Sequence, residues 1–264
     1  MKGEFAMDNV TERKYTVKAI FSNEADEKFI DDFSFACKSA FGPGAMSREK
    51  FAKKFIDNIY GPSVVCVCYS EDGTVAGARA LWRNDVDGKT SYQPCDTCVL
   101  KEHRKQGLFE RMTFDALELC GDEAVIYNYP NDNSRRLYLK LGWEIYAELK
   151  PSFWKGSKVY KSLNPEVMTK EYYDWWIKYR NNPNDRYCKK GNEYYLVRSY
   201  GRFFNIVVAP ITEEIAKMLE KAENRLLLYW SDKVSLYNKK KESRFIVKKG
   251  GDGVKIPSWK MDVI

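Results

Sequence analysis

Hydrophobic and polar positions follow two rhythms along this chain, one of period two and one near 3.6, and they change over in a fixed order. Residues 14–20 (KYTVKAI) alternate as a strand, whereas 23–41 space Phe29, Ile30, Phe33 and Cys37 along one face of a helix. Gly42, Pro43 and Gly44 end that helix. A second helix is predicted over 47–59, with Ser47 as N-cap and Phe51, Phe55, Ile56 and Ile59 at helical spacing. SVVCVCYS (63–70), VAGARALWRND (75–85) and SYQPCDTCVL (91–100) are separated by the turns EDGT and DVDGKT, which predicts an antiparallel meander. Then come a helix over 106–120, a strand AVIYNY (124–129), a helix with Leu137, Tyr138 and Leu141 on one face and Gly142 as its C-cap, and a last strand.

Beyond the linker-like KPSFWKGSK and SLNPE, the rhythm resumes with a helix at 168–180 (MTKEYYDWWIKYR), strands EYYLVRSY and FFNIVVAP around Gly201, and a helix over 212–222 with Thr212 as N-cap. RLLLYW, VSLYN and SRFIVKK follow as strands, then a tail, IPSWKMDVI. Strand, strand, helix, strand is a faint echo of the first half. The pattern predicts an α+β protein of two parts, residues 1–150 and a smaller α+β domain over 151–264. That second part is either a degenerate repeat of the first or an unrelated appendage. Tyr172, Tyr173, Trp175 and Trp176 on its helix are candidates for lining an acceptor pocket or for core between the parts.

Composition narrows the class. With 264 residues, 44% hydrophobic and 15% aromatic, the chain has ample material for a core. No stretch approaches the length of a membrane span, and the start MKGEFAMDNVTERK has no apolar h-region, so a cytoplasmic protein is expected. Seven cysteines, several inside apolar runs, suit free thiols in a reducing compartment. Cys95 and Cys98 form a C-x-x-C, but with His103 as the one histidine and no second such pair, no metal site is expected. The formal charge of +7 divides into −3 over residues 1–150 and +10 over 151–264. The basic half would suit an anionic partner, yet no zinc finger, RNP-like strand or basic-studded helix accompanies it, and nucleic acid is not expected.

The stretch DTCVLKEHRKQGLFERM (96–112) puts a strand, a basic glycine turn and a helix start in sequence. A helix N-terminus offers amides without intrahelical partners, and a glycine there lets an anion approach closely. A plain strand-to-helix turn would also be written this way. A second motif lies one strand further on: Asn131, Ser134, Leu137, Tyr138, Lys140, Leu141, Gly142, Trp143.

Together and in this order, the two motifs resemble the GNAT superfamily of acetyl-CoA-dependent N-acetyltransferases over about residues 13–150. The family's phosphate motif is Arg or Gln, two variable residues, Gly, one residue, then Gly or Ala. Arg104, Lys105, Gln106, Gly107 and Leu108 match it, and Phe109 replaces its last small residue. The resemblance implies a mixed, mostly antiparallel sheet flanked by helices. It implies pantetheine along the backbone of Cys98, Val99 and Leu100, and pyrophosphate on the amides of Gln106, Gly107, Leu108, Phe109 and Glu110, with charge from Arg104 and Lys105. Tyr138 would protonate the leaving thiolate, although a Tyr between Leu137 and Leu141 also reads as core. Asn131, with Ser134 beside it, would bond the pantetheine or cap the following helix.

The general base is the weakest match. The family's Glu, eleven residues before the motif, falls here on Gln93, which takes no proton. Asp96 is the nearest carboxylate on the same strand, acting directly or through water, and bulk water is a further route. The implied function is transfer of an acetyl or short acyl group to a primary amine on a small molecule or peptide. The alternatives are a non-catalytic acyl-CoA-binding module and a basic polyanion binder.

Overall fold

The structure, a computed structural model, describes residues 15–153, 170–180, 185–190, 193–200, 202, 204–207, 226–231 and 244–256. The predicted helix 212–222, the strand VSLYN, SLNPE and the tail beyond Ile256 lie outside these residues, whereas KPSF, expected to open a linker at Lys150, instead continues a strand, Glu144–Phe153, whose last four residues pair in a sheet. Two compact units divide the chain: Met1–Asn84 with Tyr92–Ala124, and Asp85–Ser91 with Val125–Ile264.

In the first unit the meander forms as the alternation predicts. Strands β1 (Tyr15–Phe21), β2 (Val64–Ser70), β3 (Val75–Arg83) and β4 (Ser91–Val99) pair antiparallel in that order. Val64 to Cys68 are buried at every position, so β2 is covered on both faces and reads as a continuous apolar run. Helix α1 (Glu27–Phe41) starts where Asp26 accepts from the Phe29 amide at 2.7 Å, and α2 (Arg48–Phe51) where Ser47 accepts from Lys50 at 3.1 Å. The helix predicted over 47–59 is shorter and changes pitch, becoming a widened π turn over Ala52–Ile56. Phe51 and Phe55 meet Phe33 edge to face at 5.3 and 5.7 Å, and this packing outweighs regular helical spacing. Helix α3 (Leu108–Cys120) completes the unit, with Leu108, Met112, Thr113 and Ala116 buried.

Among the described residues the second unit holds seven strands, in the order β5-β11-β6-β10-β9-β8-β7. Its strands are β5 (Val125–Asn128), β6 (Glu144–Phe153), β7 (Asp185–Lys190), β8 (Glu193–Tyr200), β9 (Phe204–Val207), β10 (Leu226–Ser231) and β11 (Arg244–Lys249). Every neighbouring pair is antiparallel except β9 and β10, which run parallel. Helix α4 (Asp132–Lys140) joins β5 to β6, and α5 (Lys170–Arg180) precedes β7. The late strand β11 threads between β5 and β6, placing Ile246 in a core with Val86, Val125, Tyr127, Leu149, Val254 and Ile256. Just past β11, Gly251 has φ +70° and sits where a Cβ would lie 2.5 Å from Val125 Cγ2, so only glycine fits the turn.

Three details bear on the sequence pattern. β7, DRYCKK, was not predicted as a strand, because charged residues hide it at the edge of the sheet, where edge strands carry them. β9 (Phe204–Val207) falls within the predicted FFNIVVAP, whose other residues lie outside the described ones. On α5, Tyr172, Tyr173, Trp175 and Trp176 are all buried, Tyr172 stacking on Trp176 at 5.9 Å and Trp175 on Tyr179 at 5.6 Å.

Candidate active site

The motif strand β4 carries an irregularity near its C-terminal end. Ala78 pairs with Cys98 and Ala80 with Cys95, so Asp96 and Thr97 together oppose Arg79, and Asp96 takes φ +45°. Such a bulge bends β4 and re-aims its side chains. Gly77, opposite Val99, makes this possible: a Cβ there would lie 2.6 Å from the Cys98 carbonyl oxygen. A glycine inside a strand signals such a close approach, so this residue was within reach of the sequence.

Asp96 accepts from Lys54 Nζ at 2.8 Å, and the Lys54 side chain is 5% exposed. The π turn of 52–56 presents this ammonium, which lies 5.4 and 5.5 Å from the ring centres of Phe55 and Trp82. Nothing in the sequence pointed to Lys54, because a lysine in a helical run reads as a solvated face. Gln93, at the family's base position, is buried, and its Oε1 accepts from Asn84 Nδ2 at 3.2 Å.

Past β4, part of the backbone expected at the pantetheine is engaged within the chain. Leu100 donates its amide to Ala76 O and accepts from His103 N, both at 2.9 Å. Arg104 Nε turns back to the Val99 carbonyl at 3.2 Å. Cys98 is buried on the strand. Lys105 and Gly107 then adopt left-handed φ values of +63° and +71°, and Gly107 forms the N-cap of α3 with no side-chain cap on the helix. Arg111 is bonded to Gly107 O, so Leu108, Phe109 and Glu110 hold the first-turn amides. Open space surrounds a Cβ built on Gly107, with no atom within 4 Å. Phe109, the departure from the family motif, is half-buried with its ring 4.7 Å from the guanidinium of Arg79. Arg79 is fully buried and donates to Thr97 of the bulge at 3.3 Å, so the replacement ties the helix start to the strand. Gln106, half-buried, completes the turn, and Glu110 is exposed.

The second motif is organised differently. Asn131 is the N-cap of α4: its Oδ1 accepts from the Ser134 amide at 2.9 Å, and Ser134 Oγ bonds back to the same oxygen at 3.0 Å. The geometry thus places both residues in a cap. Gly142, at φ +79°, closes the helix as predicted, Trp143 donating its amide to Tyr138 O at 3.1 Å. Tyr138 is 2% exposed, its ring 4.4 Å from that of Trp143, and its hydroxyl oxygen accepts from Asn128 Nδ2 at 3.1 Å.

The thiols shift in different directions, and the bond from Cys37 lowers Cys98. Cys37 is driven up by its bond to the Cys98 sulfur and by burial, and burial pushes Cys66 and Cys120 up to about 12. Cys95 and Cys98 are buried, and neither is in a disulfide. Among the described residues, no cluster of three or more His, Cys, Asp or Glu side chains is placed to hold a metal, and no helix is long and apolar enough to cross a membrane.

A sequence profile of the acetyltransferase (GNAT) family matches residues 27–143. No curated protein matches the sequence. Among solved structures, a GCN5-related N-acetyltransferase from Kribbella flavida superposes with a TM-score of 0.57 at 13% identity, covering 89% of this chain and 71% of that one. Another, from Anabaena variabilis, gives 0.57 at 12%, covering 88% and 72%. At these identities the likeness is one of fold. Acyl transfer from an acyl-coenzyme A is the chemistry of the family. The profile, the two motifs and the mixed, mostly antiparallel architecture agree: residues 27–143 form an acetyltransferase domain of the GNAT family.

Proposed function

We propose that this protein moves an acetyl or other short acyl group from coenzyme A to a primary amine on a small molecule or peptide. The uncapped start of α3, with left-handed backbone at Lys105 and Gly107, carries the proposal. Those amides and the helix dipole suit a pyrophosphate, and the open space beside Gly107 leaves room for it. Arg104 and Lys105 supply charge, and the bulged end of β4 at Cys98 and Val99 offers backbone to the pantetheine. No metal enters the scheme.

In this reading Tyr138 protonates the departing thiolate. The amine proton passes through water to Asp96 or goes directly to bulk solvent, and Asp96→Asn separates the routes because only the first then loses turnover. Residues 1–150 perform the transfer. Residues 151–264 are a degenerate second copy, a reading supported by the meander β7-β8-β9 followed by β10 parallel to β9.

A second reading, a non-catalytic acyl-CoA-binding module, is favoured by one observation. Gln93 stands at the base position bonded to Asn84, and Asp96 is bonded to Lys54. Calorimetry with acetyl-CoA, run beside a thiol-release assay over a panel of amines, decides between them. Binding with turnover supports the enzyme, binding without turnover on any amine supports the module, and no binding removes both.

A further inference from the structure

The Tyr138 hydroxyl has a partner that neither motif contains. Asn128 ends β5, where its backbone pairs with Val247 of β11, so the sheet fixes its position. Its Oδ1 accepts from the Tyr129 amide at 2.8 Å. A backbone N–H only donates, so this bond settles which end of the side-chain amide is oxygen. The other end, Nδ2, therefore points at the Tyr138 oxygen, 3.1 Å away. The phenol oxygen must accept this bond, and its own hydrogen is directed elsewhere. Trp143 holds the ring from the side, its own ring tilted by 33° at 4.4 Å, and donates its amide to the Tyr138 carbonyl at 3.1 Å.

We propose that Asn128 is a positioning residue: it orients the Tyr138 hydroxyl so that the oxygen accepts from Asn128 and the hydrogen is presented for donation. The proposal rests on the acyl-transfer reading given above. There the hydroxyl gives its proton to the departing thiolate: the O–H bond breaks, an S–H bond forms, and the phenolate regains a proton from solvent. The Asn128 N–H strengthens its bond as charge grows on the phenol oxygen, so it favours the transition state over the resting state. A neutral amide suits this task, because a carboxylate in its place would accept the Tyr138 hydrogen and withdraw it.

Asn128→Asp tests this directly, because it keeps the shape and still accepts from Tyr129 while reversing the bond to Tyr138. Turnover in Asn128→Asp should fall to within about threefold of Tyr138→Phe, with KM for acetyl-CoA little changed, and the double variant should fall no further. Asn128→Leu, which deletes the donor to Tyr138 together with the acceptor for the Tyr129 amide, should lose about tenfold in kcat. A readout independent of activity is the 13C resonance of the Tyr138 ζ-carbon, assigned by its loss in Tyr138→Phe. It should move in both Asn128 variants. An unmoved resonance, or Asn128 and Tyr138 effects that simply add, would overturn the proposal. If the wild-type protein turns over no amine, or Tyr138→Phe is fully active, the acyl-transfer reading or the acid role fails instead, and the carbon resonance still decides whether Asn128 orients the hydroxyl.

Discussion

Two strand-to-helix junctions in this protein use the same local grammar for opposite ends. At the start of α4, Asn131 and Ser134 spend their side chains on the helix's own amides. At the start of α3, a left-handed glycine stands in the same place and offers the amides nothing. A helix N-terminus has four amides to satisfy, and a protein that omits the cap forgoes about 1 kcal/mol unless something else bonds them. The difference is why the proposed function puts the anion at α3, whereas α4 satisfies its own first amides. That Gly107 and Asn131 both start helices after a strand shows why neither motif is informative without its cap.

The strongest way to break this contrast is to fill the open junction. Gly107→Val puts a β-branched side chain at φ +71°, costing about 1–2 kcal/mol in strain, yet no protein atom lies within 4 Å of its Cβ. The unit should stay folded while the side chain occupies the anion's approach. Loss of two charge-assisted bonds corresponds to a fall in acetyl-CoA affinity of about 10²-fold or more, read by calorimetry, with circular dichroism unchanged. Unaltered affinity would show that the junction is a turn and no more.

The capped junction answers to a different measurement. Tyr138→Phe should lower kcat by about 10²-fold with acetyl-CoA affinity unchanged, since the ring and its contact with Trp143 remain. Gly77→Ala tests the strand that feeds α3. Its Cβ meets the Cys98 backbone oxygen at 2.6 Å, so β4 must shift, at a cost of about 1–3 kcal/mol, and acetyl-CoA binding should weaken with it. A variant as stable as the wild type would mean the bulge does not need the close approach.

What was legible in the sequence was what is written locally. Caps and turns lie within four residues of one another, so Ser47, Gly142 and the turn at Gly107 stood out, and the two motifs in order carried the family. The apolar rhythm placed the first meander because β2 and β3 are buried along nearly their whole length. Contacts made by the fold across sequence were illegible. Lys54 meets Asp96 over 42 positions, and β11 enters the sheet beside β5 from more than 100 residues away. Asn128 lies close to Tyr138 in sequence, but its role depends on which way an amide faces, and residue type alone does not say.

The smallest effect gives the sharpest comparison, because it concerns the residue whose two roles the sequence left open. If Asn131 only caps α4, Asn131→Ala removes the bonds from the Ser134 amide and hydroxyl and nothing else. Such a loss is worth about 1 kcal/mol, a fall in Tm of about 2–4 °C, and leaves acetyl-CoA affinity where it was. Asn131→Asp should restore the Tm, since a carboxylate accepts from the same amide and adds a favourable charge at the helix N-terminus. A residue that also bonded the pantetheine would behave otherwise: the alanine variant would lose affinity beyond its loss of stability, and aspartate would not recover it. Thermal melts and calorimetry on the same three proteins therefore separate a helix that satisfies its own amides from one that shares them with a ligand.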